Sequence, residues 1–367
     1  MAKKEADPVK IYEDLKVRVG KPKVKPDPTY RELAAKVGDA ESEYLQRAIA
    51  KMVSLEQARL IMALPDADRD PALGRGLEVS DGLAKKLGLD KKTVEKHMQE
   101  LYEKGLLFPT RQGPLFARSR MQLHDAVLCA YKYDKELGRE FFDLWGVMEG
   151  AMKQPTPQDL RPGRAVFRVI PRWKSIKDIP GVQPWEDIRE ILKKQQILAV
   201  VRCACKRAHT DRWCGVPDEV CINVGRTGEY NIGRGAGRQI TYKEAMSLLD
   251  ELDEYPLVHT TLNQKEVGQL VCNCHYCCCG AAKGASPSRF VAEIDLEKCN
   301  GCGICLDRCQ YGAMEMRTPP GLKEERAYIS PEICRGCGCC VVACPTDACR
   351  MKMVRPPEHV PDTLAIY

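Results

Sequence analysis

The chain has 367 residues, of which 44% are hydrophobic and 29% charged, and its formal net charge is +6. These proportions fit a globular protein of two or three domains and exclude a collagen-like, low-complexity or disordered chain. The 20 cysteines are the departure from ordinary composition.

The N-terminus, Met-Ala-Lys-Lys-Glu-Ala-Asp-Pro, has no apolar signal region, and the longest aliphatic run, Ile197 to Val201, is too short to cross a bilayer. The expectation is a cytoplasmic protein with no membrane span, in which clustered thiols bind metal. Residues 1–29 are basic and proline-rich and read as a solvated arm with little helical or core-forming capacity. Residues 30–153 read as mostly helical. Leu45, Ile49, Met52, Val53 and Leu60 fall at helical spacing. Ser80 or Asp81 can cap a short helix ending at Gly88. Asp90 can cap the next, with Val94, Met98 and Leu101 as its apolar stripe and Gly105 at its end. Phe108 to Ala117, with Pro109, Gly113 and Pro114, suits a small hairpin.

Helix, turn, helix and hairpin resemble a winged helix-turn-helix. That resemblance implies either DNA reading or protein docking. Lys91, Lys92, Thr93, Lys96 and Gln99 could face a major groove. Glu95, Glu100 and Glu103 on the same helix would be repelled by phosphates, which favours docking, including self-association. His97 reads as a surface residue.

Pro155 to Gly163 is a proline-rich linker. Residues 164–285 read as a cysteine-rich α/β domain. Gln196 to Cys205 has a strand pattern that would put the thiols of Cys203 and Cys205 on one face. Gly233-Arg-Gly-Ala-Gly-Arg238 lacks the spacing and context of a dinucleotide fingerprint and reads as a turn before a helix capped by Thr241 and Glu244. His259 reads as a structural histidine. Gly280 to Ser288 reads as a small-residue linker.

Residues 289–355 contain Cys299, Cys302, Cys305 and Cys309 at the spacing C-x2-C-x2-C-x3-C. Cys334, Cys337, Cys340 and Cys344 repeat it 35 residues later, followed by Pro345. The strand-like flanks repeat too, and each half is expected to pair its leading strand with its own trailing strand. Gln310 stands where a proline often follows such a run, Cys339 has the wrong spacing for a ligand, and Cys349 reads as packing. Residues 356–367 form a tail.

This repeat resembles the bacterial two-cluster ferredoxin. The resemblance implies one 4Fe–4S cluster on Cys299, Cys302, Cys305 and Cys344 and a second on Cys334, Cys337, Cys340 and Cys309, each run lending its fourth cysteine to the other cluster. Oxidised clusters each carry a net charge of roughly −2 including their thiolates. They offset most of the +6, so the basic balance says little about nucleic acid.

The middle cysteines fall in two groups. Cys203, Cys205, Cys214 and Cys221 are a candidate third site, and Cys272, Cys274, Cys277 and Cys278 a candidate further site. Cys279 completes a C-N-C-x-x-C-C-C segment. One or two further 4Fe–4S clusters, a structural zinc with His275 as a ligand, and redox-active thiols all remain open. The order of segments resembles 4Fe–4S dicluster oxidoreductase subunits of anaerobic bacteria. The expected fold class is a multidomain α+β chain: helical winged-helix-like domain, cysteine-rich α/β middle and ferredoxin-like dicluster domain. The expected function is single-electron transfer between the ferredoxin clusters and a middle metal site, with a redox partner protein or a catalytic oxidoreductase subunit as partner. The rivals are an iron–sulfur redox-sensing transcription regulator that binds DNA through the winged helix, and a scaffold subunit with a structural metal. No catalytic residue stands out.

Overall fold

The computed structural model describes residues 8–22, 25–64, 73–76, 81–110, 113–150, 165–209 and 215–364. The expected linker Pro155 to Gly163, the capping candidate Ser80 and the thiol of Cys214 lie outside the described residues. The fold mixes helix and sheet. No helix among the described residues is long and apolar enough to cross a membrane.

The N-terminal part is built from α1 (Pro8–Val19), α2 (Pro28–Lys36), α3 (Glu43–Met52), α4 (Leu55–Ala63), β1 (Leu73–Gly76), α5 (Asp81–Leu87), α6 (Lys91–Glu103), β2 (Leu107–Thr110), β3 (Gly113–Phe116), α7 (Arg120–Cys129) and α8 (Asp134–Gly150). Side-chain caps start the helices: Asp27, Ser42, Ser54, Asp90 and Ser119 each accept from a first-turn amide. β2 and β3 pair antiparallel, and β1 lies parallel to β2. The N-terminal arm is not a solvated strap. Leu15 and Val19, four apart on α1, are buried, and Arg18 donates to both carboxylate oxygens of buried Asp143 on α8 at 2.7 and 3.0 Å. Arg139 shares the Asp143 carboxylate, so the ion pair and the burial of Leu15 and Val19 together hold α1 against α8. Phe141 and Trp145 are fully buried on α8. Truncating either should cost about 3–5 kcal/mol.

The middle part contains β4 (Phe167–Ile170), α9 (Trp173–Ile176), α10 (Ile188–Lys193), β5 (Leu198–Arg202), α11 (Ala204–Ala208), β6 (Glu219–Val224), α12 (Gly225–Gly233), β7 (Gly237–Gln239), α13 (Tyr242–Glu251), β8 (Val258–Leu262), β9 (Leu270–Cys274) and α14 (Gly280–Gly284). Its six strands run in the order β4-β8-β9-β6-β5-β7, and every neighbouring pair is antiparallel. The strand expected to run to Cys205 stops at Arg202. The Cys203 amide donates to the Asp218 carbonyl at 2.7 Å and the chain turns into α11, so Cys203 and Cys205 do not share a strand face. The expected linker Gly280–Ser288 is also folded. It forms α14 with Ala282 buried, and Ser286 exchanges backbone hydrogen bonds with β4.

One apolar core runs from the N-terminal helices into Val201, Cys203, Val220, Tyr230 and Leu257 of the middle part. Polar contacts follow it. Arg234, at the end of α12, donates to the Ala126 carbonyl at 2.7 Å and the Glu103 carbonyl at 3.2 Å. The Tyr230 hydroxyl donates to Leu107.

The C-terminal part comprises β10 (Phe290–Ile294), α15 (Ile304–Arg308), β11 (Met314–Arg317), β12 (Arg326–Ile329), α16 (Cys339–Val342) and β13 (Cys349–Met353). The strand pairing expected within each half is overturned. β10 pairs with β13 and β11 with β12, all antiparallel, so each half lends a strand to the other. Phe290, Ala292, Ile329 and Met351 close a common core between them, which pairing within each half would split. The tail returns to the middle part: the Lys265 amide donates to the Pro361 carbonyl, and Val360 is buried.

His124 on α7 sits edge-on to Trp145, with Nδ1 2.9 Å from the Asp125 carboxylate. Its Nε2 lies 3.5 Å from Glu149, within ion-pair range but without hydrogen-bond geometry. Burial pushes its pKa down, but Glu149 and Asp125 outweigh burial and raise it to about 9. The folded pKa exceeds the unfolded value of about 6.5. Its stabilisation is therefore complete below that pH and is lost as pH rises through about 9. Over this window the thermal midpoint of the wild type should fall more steeply than that of His124→Gln. Parallel curves would count against a charged histidine here.

Candidate iron–sulfur and thiol sites

Left-handed glycines shape the C-terminal cysteine loops. Gly301, Gly303, Gly336 and Gly338 have φ between 64° and 77°. That conformation turns the chain tightly enough for successive cysteines to face inward. Cys299, Cys302, Cys305 and Cys344 line one hollow, together with Ile294, Ala327, Pro345 and Cys349. The second run thus contributes Cys344 to the first run's loop. Reciprocally, Cys309 lies near Cys334. Amides point at sulfur: Ala313 donates to Cys309 at 3.3 Å and Gly336 to Cys334 at 3.4 Å. Burial pushes the Cys305 thiol up to about 12 and the Cys309 thiol up as well. At Cys344 burial is outweighed by the amides of Cys349 and Thr346, which hold it below the ordinary thiol range. Four converging thiols with amide donors fit a 4Fe–4S cluster, whose thiolate ligands need such donors.

Cys339 turns away from that loop. Its Sγ accepts from the Arg172 Nε at 3.4 Å and donates to the Leu257 carbonyl at 3.4 Å. Its hydrogen bond with Cys337, then the Arg172 charge, hold it down to about 6 against burial. Arg172 also bonds Asp253 and the carbonyls of Leu252, Tyr255 and Leu257, while its amide donates to Cys337. Cys349 is buried on β13 and hydrogen-bonds Cys340.

The middle thiols group differently from their sequence order. Cys203 lies beside Cys205 and Cys221, Cys221 beside Cys272, Cys272 beside Cys274, and Cys279 beside Cys205, while Cys279 donates to Cys274. The six sulfurs close a ring, with Cys274 and Cys279 3.1 Å apart. Cys203, Cys205 and Cys221 of the first expected site thus come together with Cys272 and Cys274 of the second across β6 and β9, which pair edge to edge. Cys277 and Cys278 sit on the turn that follows β9, beside His275. Cys277 Sγ lies 3.0 Å from His275 Nδ1, and Cys278 faces the His275 carbonyl. Cys279 entered neither expected site. Its signal was only position, at the start of α14. Among the described residues, no group of three or more Cys, His, Asp or Glu surrounds a single-ion position.

The two thiol regions meet at the residues after Cys309. Gln310 accepts a hydrogen bond from the Tyr276 amide, and the Tyr311 hydroxyl donates to the Ala282 carbonyl at 3.1 Å. The Tyr276 and Tyr311 rings meet edge to face at 5.6 Å. Burial pushes the Tyr311 phenol well up, and Cys337, Cys274 and Cys339 add to the effect, so Tyr311 lies between both thiol sets. His259 is buried with Nδ1 2.5 Å from Asn273, and burial, with Arg172 nearby, pushes its pKa down to about 3. His97 is not a free surface residue, for Glu56 and Gln57 hold its ring.

The family model of the 4Fe–4S dicluster domain matches residues 298–348. No curated protein and no solved structure matches the chain. The C-terminal part is thus a ferredoxin-like 4Fe–4S domain.

A Cβ added at Gly336 would lie 2.2 Å from the Phe290 carbonyl oxygen and the Ser288 hydroxyl, whereas one at Gly303 meets nothing within 4 Å. Both share a left-handed backbone, which costs an alanine about 1 kcal/mol. Gly336→Ala should therefore lose cluster iron on purification and Gly303→Ala should retain it. Equal iron content in the two variants would refute the steric account.

Proposed function

We propose that the chain is an electron-transfer protein with two 4Fe–4S clusters, serving as a component of an oxidoreductase. One cluster would be held by Cys299, Cys302, Cys305 and Cys344, the other by Cys334, Cys337, Cys340 and Cys309. The observation that carries this reading is the single cavity lined by Cys344 together with all three leading cysteines of the first run. When bound, a 4Fe–4S cluster takes up and releases one electron at a time.

The protein residues divide the remaining tasks. Cys302 is exposed, and Ile304 beside it is partly exposed, so a partner protein can approach the first loop closely. The second loop is interior. The Gly336 amide donates to the Cys334 sulfur, and Arg172 holds its charge on Cys339 beside the loop, both of which favour a reduced, more negative site. Gln310 and Tyr311 lead from that loop to the middle thiols. A further metal site in the middle part belongs to the same reading, either a redox-active iron–sulfur cluster or a structural zinc.

The winged-helix-like segment is read as a docking module. The C-terminal end of α6 is engaged within the chain: Tyr102 meets Tyr230, and the Glu103 carbonyl accepts from Arg234. Glu103 is also bound by Lys132 and Tyr133.

Paired replacement Cys299→Ser with Cys344→Ser should remove about four iron and four sulfide per chain and leave one ferredoxin-type signal in the reduced EPR spectrum. Unchanged iron and an unchanged spectrum would overturn the ligand assignment.

A further inference from the structure

We propose that Cys203, Cys205, Cys221, Cys272, Cys274 and Cys279 form one site, and that this site binds a single 4Fe–4S cluster. The inference rests on the electron-transfer reading above and specifies its middle site.

The first argument is convergence. The six thiols come from the end of β5, α11, β6, β9 and the start of α14, yet they pack together: β6 pairs with β9, Cys205 and Cys272 pack against both the Cys203–Cys221 and the Cys274–Cys279 clusters, and Cys279 donates to Cys274 at 3.1 Å. Neutral thiols are weak donors and acceptors, so a ring of six offers little reason to exclude ordinary apolar packing. A thiolate ligand set supplies that reason.

The second argument is charge. Lys206 is half-buried beside the ring, and its ammonium donates to the Pro217 carbonyl at 3.0 Å and the Asn273 carbonyl at 3.2 Å. Among the described residues no carboxylate is paired with it. An ammonium in this position complements a site that is anionic when loaded. Ligating thiols would release their protons to solvent on binding.

The third argument is number and position. Six thiols supply more than the four ligands that a cluster needs, and a zinc ion would need no more than four either, so metal analysis separates the two. Four can serve a cube, and the two others remain as hydrogen-bond partners of the ligating sulfurs. The ring also abuts Tyr311 and Ala282, beside the interior ferredoxin loop.

The test is iron and sulfide content of the full chain after anaerobic reconstitution with ferrous iron and sulfide, with EPR of the reduced samples. Wild type should hold about twelve iron. The variant Cys203→Ser, Cys272→Ser, Cys279→Ser removes alternate members of the ring and leaves three thiols, one fewer than the cube's corners. It should hold about eight iron with the ferredoxin signals intact, which also shows that it has folded. Cys277→Ser with Cys278→Ser, outside the ring, should keep about twelve. About eight iron in wild type, zinc in place of the extra iron, or loss of the extra iron only in the Cys277/Cys278 variant would overturn the proposal. Iron lost in the ring variant but untouched by Cys299→Ser with Cys344→Ser would uphold the ring and overturn the ferredoxin ligand assignment, so the two readings fail separately.

Discussion

The buried guanidinium of Arg172 is the contact on which the arrangement of the two thiol regions depends. A cation removed from water is tolerated only when its donors are filled. Here three carbonyls from the turn after α13, the Asp253 carboxylate and the Cys339 sulfur fill them. Those partners come from both the middle part and the ferredoxin-like part, so neither can shift without stranding the charge. Space reinforces this. Gly338 passes so close to Ser175 that a side chain would collide with its hydroxyl, and the Arg172 amide holds the Cys337 carbonyl at 3.0 Å.

The same economy recurs elsewhere. Arg289 and Glu186 form an ion pair that is almost wholly buried, joining β10 to the segment before α10. Arg168, buried on β4, donates to the Trp185 and Gln264 carbonyls. Lys206 stands among the ring thiols. Cations taken out of water thus hold segments of the chain together by filling their donors with carbonyls and carboxylates.

What the sequence disclosed follows the range of the interaction. The two C-x2-C-x2-C-x3-C runs are local, with glycines interleaved, so their loops were legible from spacing. So were the Thr241–Glu244 capping box and the Asp90 cap, because each is closed within one helical turn. The grouping of the middle thiols was not legible because their contacts are between strands. Cys221 and Cys272 meet only because β6 pairs with β9. Cys205 meets Cys279 only because the chain breaks from β5 into α11. The crossing of the C-terminal strands was likewise invisible: both pairings satisfy the same alternation, and packing of the shared core decides between them. The Gln310 substitution was seen, but its use was not, since its partner Tyr276 lies 34 residues away. The helical arm was missed because proline and lysine content outweighed Leu15 and Val19, whose burial is decided by α8.

The exchange of strands between the two ferredoxin halves has a consequence for biosynthesis. β10 waits for β13 before its backbone is paired, and the first loop waits for Cys344. Closing contacts that distant in sequence is slow compared with forming a local hairpin. On a ribosome the first three cysteines would emerge well before their fourth companion, as unprotected thiols. Loading with iron must then follow translation of the segment through Met353 rather than accompany it. The interval in which oxidants can reach those thiols is set by the rate of translation.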